Sequence, residues 1–462
     1  MTKNNQCTNQ SLWDLIDHFY ETLGIEAWQD QVPYKVTSSC FLAHSFCSII
    51  QKNAEKKPLD VIELGAGHGQ FSYLLKKHID SSLPIEIIMT DGAQANVDFF
   101  KSHPQIKTLN IPAHHYNIKD AVKKHTHPSK KTVFIANYIF DSLPFVAVEK
   151  TDTDLLVHDI NLELPFHSLA KNTKHLDQVQ WSFQPREFSP NEFSPTILKT
   201  LHSFQNGRTT IPVRTIEWIE MLHKCQHPIT IIGTDKGVCE QSMNYYDENF
   251  SLTLDGCFSS TINLEFIKRH LEINKIGHCF LKDQAPSNTN LKNFIITLNS
   301  SVSSHPTEQE FDAHDFYSIQ AMGQSASTLS RQWSALLRLS HFDPWMFDIL
   351  YPKLMQHLTH NTQEYRHYTQ IFSRVLDNLY VLPNMHTALR LADAFNTCHC
   401  THLALASLKM YRDIHGEDVY YLRELGRVFL KENKRTDAQE VWKRALIKKP
   451  QCPIIRKMLQ EL

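Results

Sequence analysis

VIELGAGHGQFSYLL, residues 61–75, joins an apolar run to a helical pattern through three closely spaced glycines. Val61, Ile62 and Leu64 read as a buried parallel strand, with Glu63 near its end. Phe71, Leu74 and Leu75 then resume a helical period. Gly65, Gly67 and Gly69 stand where backbone must turn tightly and approach a ligand without a colliding Cβ. A helix N-terminus following such a loop offers unpaired amides to an anion or a carboxylate. A second apolar strand, PIEIIMTDG (residues 84–92), ends in Asp91, about 20 residues past the last glycine. That spacing predicts a carboxylate at the tip of the neighbouring strand, able to accept two ribose hydroxyls. Asp91-Gly92-Ala93 also precedes a helical pattern, so a capping role is compatible with the ribose role.

An acid before GxGxG matches the first motif of S-adenosylmethionine (SAM) methyltransferases, whereas a dinucleotide site prefers GxGxxG without the leading acid. The cofactor-binding residues expected are Glu63, Gly65, Gly67, Gly69 and Asp91. Asn117 and Tyr116 are placed near the adenine, after the third strand.

The chain has 462 residues, enough for two or three domains. With 42% hydrophobic and 21% charged residues it suits a soluble globular protein. A net charge of −2, from 47 basic and 49 acidic residues, gives no electrostatic sign of a nucleic-acid or membrane partner. The N-terminal MTKNNQCTNQSLWDLIDHF lacks an apolar signal core, and no run approaches a membrane-spanning length. The 10 cysteines lack framework spacing, which points to reduced thiols in a cytoplasmic location. Cys398-His399-Cys400 and His402 have no second ligand pair at zinc spacing, and no metal is expected.

Residues 1–57 read as a helical segment, with Trp13, Leu15, Ile16 and Phe19 at helical spacing and a second run containing Phe41, Phe46 and Ile49. From 58 to 300, strands alternate with helices: DVIEL, IEIIM, IKTLNI, TVFIANY, ITIIG, IGHCFL and NFIITL. Seven such strands imply an α/β domain with a doubly wound, Rossmann-like sheet. Roughly 90 residues separate TVFIANY from ITIIG, so an insertion at about 151–227 is expected, with hairpin-like DLLVHDINLELPF and VQWSFQP, over the active-site mouth. PTEQEFDAHD reads as a linker, and 301–462 as an all-α domain. Leu425, Gly426, Phe429, Ala438, Trp442, Ala445 and Pro450 fit the 34-residue tetratricopeptide pattern. One period earlier, Leu391, Ala392, Phe395, Ala404, Leu408, Tyr411 and Gly416 fit it too, giving repeats at 385–418 and 419–452. Asp343-Pro344 reads as the cap and first turn of an upstream helix.

The fourth strand ends in FIANYIFDSLP. Ligands of doubly wound sheets sit outside the carboxyl ends of the strands, so Asn137 and Asp141 would line the cleft beside the cofactor's methyl group. Asn137 can equally cap a helix.

Taken together, IELGAGHGQ, ANYIFDSLP, GTDKG (233–237) and DGCFSSTINLEFIKRHL (255–271) resemble the MidA family of class I methyltransferases, which includes an arginine-methylating assembly factor of mitochondrial complex I. Tyr34 and Thr37-Ser38-Ser39 resemble that family's entry loop. The resemblance spans residues 30–300 and implies SAM as cofactor and a protein arginine as substrate, with Asn137, Asp141 and Glu265 as catalytic candidates. Ala66 and His68 replace the family's Pro and Arg, Tyr138 its Glu, and Ser259 an Asp. Guanidinium recognition favours a carboxylate fork, and Tyr138 leaves that fork one acid short. Two functions follow: a protein methyltransferase whose C-terminal repeats recruit a protein partner, or a non-catalytic scaffold with a vestigial cofactor domain.

Overall fold

The computed structural model describes residues 9–30, 35–54, 57–125, 130–163, 176, 179–189, 191–239, 246, 250–281, 291–300, 313–325 and 330–462. Its centre is β1 (Leu59–Glu63), buried at every position, with a strand on each side. β1, β2 (Ile85–Asp91), β3 (Ala113–His115) and β4 (Lys131–Ile135) run parallel in the order β3-β2-β1-β4. In register, Val61 lies opposite Ile87 and Val133, and Glu63 opposite Met89 and Ile135. The chain winds outward from β1 in one direction and then the other, so the switch point falls between β1 and β4, where doubly wound sheets bind ligands.

β5 (Val146–Lys150), β6 (Leu155–Glu163), β7 (Gln180–Glu187) and β8 (Gly207–Ile211) form a separate antiparallel sheet, ordered β7-β6-β5-β8. This is the inserted segment, and its pairing starts at Val146, a few residues before the expected boundary. The chain returns to the main sheet through β9 (Ile229–Val238), parallel to β4. β10 (Leu252–Asp255) and β11 (Cys257–Ser260) make a hairpin, and β12 (Ile262–Asn263) pairs briefly with β9. β13 (Gly277–Leu281) and β14 (Leu291–Leu298) complete the path as β9-β14-β13, with β14 antiparallel to both neighbours. The sheet thus has the expected α/β winding with seven principal strands and the short β12 off the path. Ile62, Ile88, Phe134, Trp218, Ile231 and Ile296 belong to one core cluster of this sheet.

One strand expectation is corrected. IKTLNI does not form the third strand; Pro104–Leu109 is helical, and β3 follows at Ala113–His115. Pro104 suits a first helical turn, where its missing N–H costs nothing, and Ile106 and Leu109 share one helical face at i, i+3.

Met1–Thr37, Ser45–Ser102 and Asn110–His314 form one compact unit; Ser38–His44, His103–Leu109 and Asp315–Leu462 form the other. The N-terminal helix Asn9–Leu23 therefore belongs with the sheet, and Leu12, Leu15, Ile16 and Phe19 enter a core with Phe145, Ile160 and Phe258. Residues 306–312 of the expected linker and Tyr34 of the expected entry loop lie outside the described residues.

In the second unit, helices Thr387–Thr397 and Thr401–His415 are joined by a tight turn, as are Val419–Lys431 and Arg435–Lys448. A Cβ on Gly426 would lie 2.1 Å from Trp442 Nε1, so only glycine lets these two helices touch. Asp343 caps helix Pro344–His360, accepting from the amides of Trp345 at 2.8 Å and Met346 at 3.4 Å. Its other oxygen accepts from the buried Cys40 amide at 2.8 Å. Asp343→Ala removes a cap and strands a buried N–H, and should destabilise this unit by about 2–4 kcal/mol. Denaturant unfolding of the two proteins, followed by far-UV circular dichroism, checks this; a difference under about 0.5 kcal/mol would contradict the assignment.

Candidate active site

The loop after β1 has left-handed backbone at Gly65 (φ 56°) and Gly67 (φ 59°), which side-chain-bearing residues rarely adopt. A Cβ at Gly65 would sit 2.6 Å from Ile139 Cδ1, and one at Gly67 would sit 3.0 Å from Trp28 Cε2. Gly69 (φ 82°) precedes helix Gln70–His78. Asp91, at the end of β2, fastens this loop. One carboxylate oxygen accepts from the Gly67 amide at 2.9 Å. The other accepts from the Ala93 amide at 2.8 Å and Asn96 Nδ2 at 3.1 Å. Burial pushes the Asp91 carboxyl up to about 6, against the pull of these donors. The capping bond foreseen for Asp91 is therefore present, together with a bond to the glycine loop.

Glu63 is buried at the mouth of the same loop, where its carboxylate accepts from the Ser72 hydroxyl. Its backbone carbonyl accepts from Thr90 Oγ1 at 2.8 Å, tying β1 to β2. Burial pushes the Glu63 carboxyl up to about 8, although Ser72 opposes the shift.

Across the switch point, the segment after β4 is held by β9. Asn137 Oδ1 accepts from the Thr234 amide at 3.1 Å, and its Nδ2 donates to Thr37 O at 3.4 Å. The Tyr138 amide donates to Thr234 O at 3.0 Å, and Tyr138 itself has φ 51°. An aromatic residue in that region is strained, a condition common at functional sites. Asp235 Oδ2 then accepts from the amides of Ile139 at 3.1 Å, Phe140 at 2.7 Å and Asp141 at 3.4 Å. One carboxylate thereby shapes the turn that presents Asp141. Burial raises the Asp235 carboxyl well above the usual range, with Asp141 adding to the rise. Asp141 is buried and accepts from Ser142 Oγ at 3.0 Å; burial pushes it up to about 6, while the Lys236 ammonium pulls it down. Lys236 Nζ also donates to Ser259 Oγ at 2.9 Å. Tyr20, from the N-terminal helix, reaches the same place: its hydroxyl meets Cys257 and Ser142.

The remaining candidates are held elsewhere. Asn117 is exposed after β3 and caps the next helix, with Oδ1 accepting from the Asp120 amide at 2.9 Å. Tyr116 stacks on His114 at 5.1 Å, and its amide donates to Asp91 O at 3.1 Å. Glu265 is buried on helix Leu264–Asn274, where it accepts from Arg269 Nε at 3.0 Å and has Lys268 Nζ at 3.9 Å. These are i, i+4 and i, i+3 pairs along its own helix. The structure thus brings Glu63, the glycines and Asp91 together, and Asn137 with Asp141, while Glu265 is committed to its helix neighbours.

Four residues of this region escaped the sequence reading of the site. Asp235 lay within GTDKG, and an acid after the run Ile229–Thr234, which carries no charge, was a usable signal. Lys236 adjoins it. Tyr20 and Trp28 had no signal of their own in the sequence.

Residues 41–235 match the sequence model of a family described as "Putative S-adenosyl-L-methionine-dependent methyltransferase". No curated protein matches the chain. Among solved structures, an uncharacterized superfamily protein from Burkholderia thailandensis is similar at 9% identity and a TM-score of 0.41, over 63% of this chain and 92% of that one. A superfamily member from the same organism, bound to S-adenosyl-homocysteine, is similar at 9% identity and a TM-score of 0.39, over 56% and 77%. Magnesium protoporphyrin IX methyltransferase from Synechocystis with bound SAM follows at 8% identity and a TM-score of 0.30, over 64% and 100%. The matched span runs from before the glycine loop to Asp235 and holds both halves of the switch-point cleft. The chain carries a SAM-dependent methyltransferase domain, and SAM is its cofactor. One buried polar atom beside the loop, Trp28 Nε1, lacks a hydrogen-bond partner among the described residues, so the site has polar capacity left for such a molecule. No helix among the described residues is long and apolar enough to cross a membrane, and none of their His, Cys, Asp and Glu side chains form a group of three or more placed to hold a metal ion.

Two predictions follow the geometry. Gly67→Val places a side chain against Trp28 at a positive φ, and should abolish SAM binding by titration calorimetry while circular dichroism retains the sheet. Wild-type affinity in that variant would locate the cofactor elsewhere. The second prediction concerns pH. Glu63 has a folded pKa of about 8, above its unfolded 4.5, so its contribution is complete below 4.5 and is lost as pH rises toward 8. Glu63→Gln stays neutral throughout. The melting temperature of the wild type should therefore fall relative to Glu63→Gln between pH 4.5 and about 8. A difference independent of pH would contradict the buried-acid assignment.

Proposed function

We propose that the protein methylates a protein nitrogen, arginine first, and that the C-terminal helical repeats recruit the protein carrying it. The observation that carries this reading is the buried Asp141 carboxyl, presented at the carboxyl end of β4 by the Asp235-bound turn. A carboxylate there favours a cationic side chain, because a guanidinium stays protonated and is best held by a charged acceptor.

SAM supplies a methyl group already activated by its sulfonium. The chain's own task is to hold both reactants in line and exclude water, and orientation of this kind can lower a barrier by roughly 7–11 kcal/mol. Glu63 and the glycine loop would hold the methionine end, Asp91 the ribose, and Tyr116 with Asn117 the adenine side. Asn137 Oδ1, which accepts from the Thr234 amide, has a second lone pair that can accept an N–H of the nitrogen to be methylated. Asp141, whose carboxyl burial pushes up while the Lys236 ammonium pulls it down, can take up the proton that the attacking nitrogen must lose. Glu265, ion-paired along its helix, has no part in this arrangement. The resemblance to the MidA family points to the same substrate class, and the repeat pattern around Gly426 and Trp442 supports partner recruitment by residues 301–462.

The test is mass spectrometry of candidate partner proteins after incubation with isotope-labelled SAM, comparing wild type with Asp141→Ala. Label on an arginine that falls at least tenfold in the variant supports the proposal. Equal labelling removes Asp141 from the mechanism. No label on any partner, despite measurable SAM binding, favours the scaffold reading, to which the replacement of the family's Glu by Tyr138 also points.

A further inference from the structure

The glycine loop is covered by a side chain from the N-terminal segment. Trp28 lies on a short helical turn, Ala27–Asp30, and its ring edge comes within 3.0 Å of where a Gly67 Cβ would stand. The indole nitrogen is the second nearest atom to that point, at 3.2 Å. Trp28 is held in place from two sides. Tyr20 stacks on it with ring centroids 5.7 Å apart and planes 24° apart. His68, in the glycine loop itself, meets it edge-on at 6.5 Å. The same Tyr20 reaches Ser142 and Cys257 with its hydroxyl, so the pair of rings spans from the glycine loop to the turn that carries Asp141.

The indole N–H of this fixed ring is buried and has no hydrogen-bond partner among the described residues. A buried donor left unpaired is costly, and native structures rarely leave one without a purpose. The bonds of the two buried acids of this loop go elsewhere: Asp91 accepts from Gly67, Ala93 and Asn96, and Glu63 from Ser72. An indole N–H is a donor only, so it is completed by an acceptor, which a ligand lying at the glycine loop can bring.

We propose that Trp28 is a cofactor-binding residue, whose indole N–H donates to an oxygen of the nucleoside or amino-acid part of the cofactor while its ring covers the glycine loop. This rests on the cofactor lying at that loop, as proposed above. Because the donor addresses a part common to SAM and S-adenosylhomocysteine, it contributes equally to the affinity of both. The N-terminal segment is then part of the cofactor site, and Tyr20 is a positioning residue that holds the indole.

The probe is S-adenosylhomocysteine, which binds without turnover. Trp28→Phe keeps a ring over Gly67 and removes only the donor. It should bind S-adenosylhomocysteine about threefold to tenfold more weakly by titration calorimetry, with the same factor for SAM. In protein carrying ¹⁵N-labelled indole, the resonance that vanishes in Trp28→Phe should move downfield when S-adenosylhomocysteine is added to wild type. Wild-type affinity in Trp28→Phe, or an unmoved Trp28 resonance at saturation, would overturn the proposal while leaving the cofactor site intact. Loss for SAM alone would also overturn it, since that pattern belongs to the ring facing the sulfonium. No binding to wild type at all would remove the cofactor reading and this inference with it.

Discussion

The bond between the Asp91 carboxylate and the Gly67 amide is the constraint on which the cleft depends. A glycine-rich loop has the most conformational freedom to lose on folding, and its glycines bring no side chains to hold it. The structure supplies the hold from the next strand. Asp91 accepts three hydrogen bonds, from Gly67, Ala93 and Asn96, and so fixes the loop and the start of the following helix together. Burying a carboxylate costs several kcal/mol, and charge-assisted bonds to backbone amides offset that cost. Asp235 repeats the device on the other side of the switch point, where it gathers the amides of residues 139–141. Two buried acids thus shape the two loops between which the cleft opens.

These two are joined by Glu63 and Asp141, and the four acids have Lys236 as a basic neighbour at Asp141. All four carboxyls are shifted upward by burial. An enclosure of acids whose ionisation is disfavoured is poorly matched to anions and well matched to a cation, which lets the acids ionise. The cofactor of this class is a sulfonium, and a guanidinium acceptor would bring a second positive charge. Electrostatics therefore ties stability, cofactor and proposed substrate to the same residues, with stability highest where the acids are neutral and cation binding strongest where they are not.

The legible parts of the sequence were those carried by local pattern. The run Val61–Leu64, the three glycines and the helix from Gln70 followed from apolar spacing and glycine chemistry. Gly426 against Trp442 and the Asp343-Pro344 cap likewise follow short-range rules. IKTLNI failed because six residues with only Ile106, Leu109 and Ile111 apolar fit a strand or a helix, and Pro104 outside its edge tipped the balance. Glu265 looked available because its partners, Arg269 and Lys268, compete for it along a helix face that a residue-type match does not weigh. Asp235 was readable in principle, as an acid in a strand that is otherwise Ile, Thr and Gly up to that position.

The sequence by itself determined the central strands and the helix after the glycines, the loop that the glycines permit, and the acids available at strand ends. Those properties depend on spacing over a few residues, where periodicity and backbone preference act. Only the tertiary structure decided what each acid does. Asp91 reaches a loop 24 residues away, Asp235 a turn 94 to 96 residues away, and Trp28 covers a glycine that precedes neither in pattern nor in charge anything around it. Hydrogen-bond partners and burial are properties of packed neighbours, and packing joins residues whose distance along the chain carries no record of the contact.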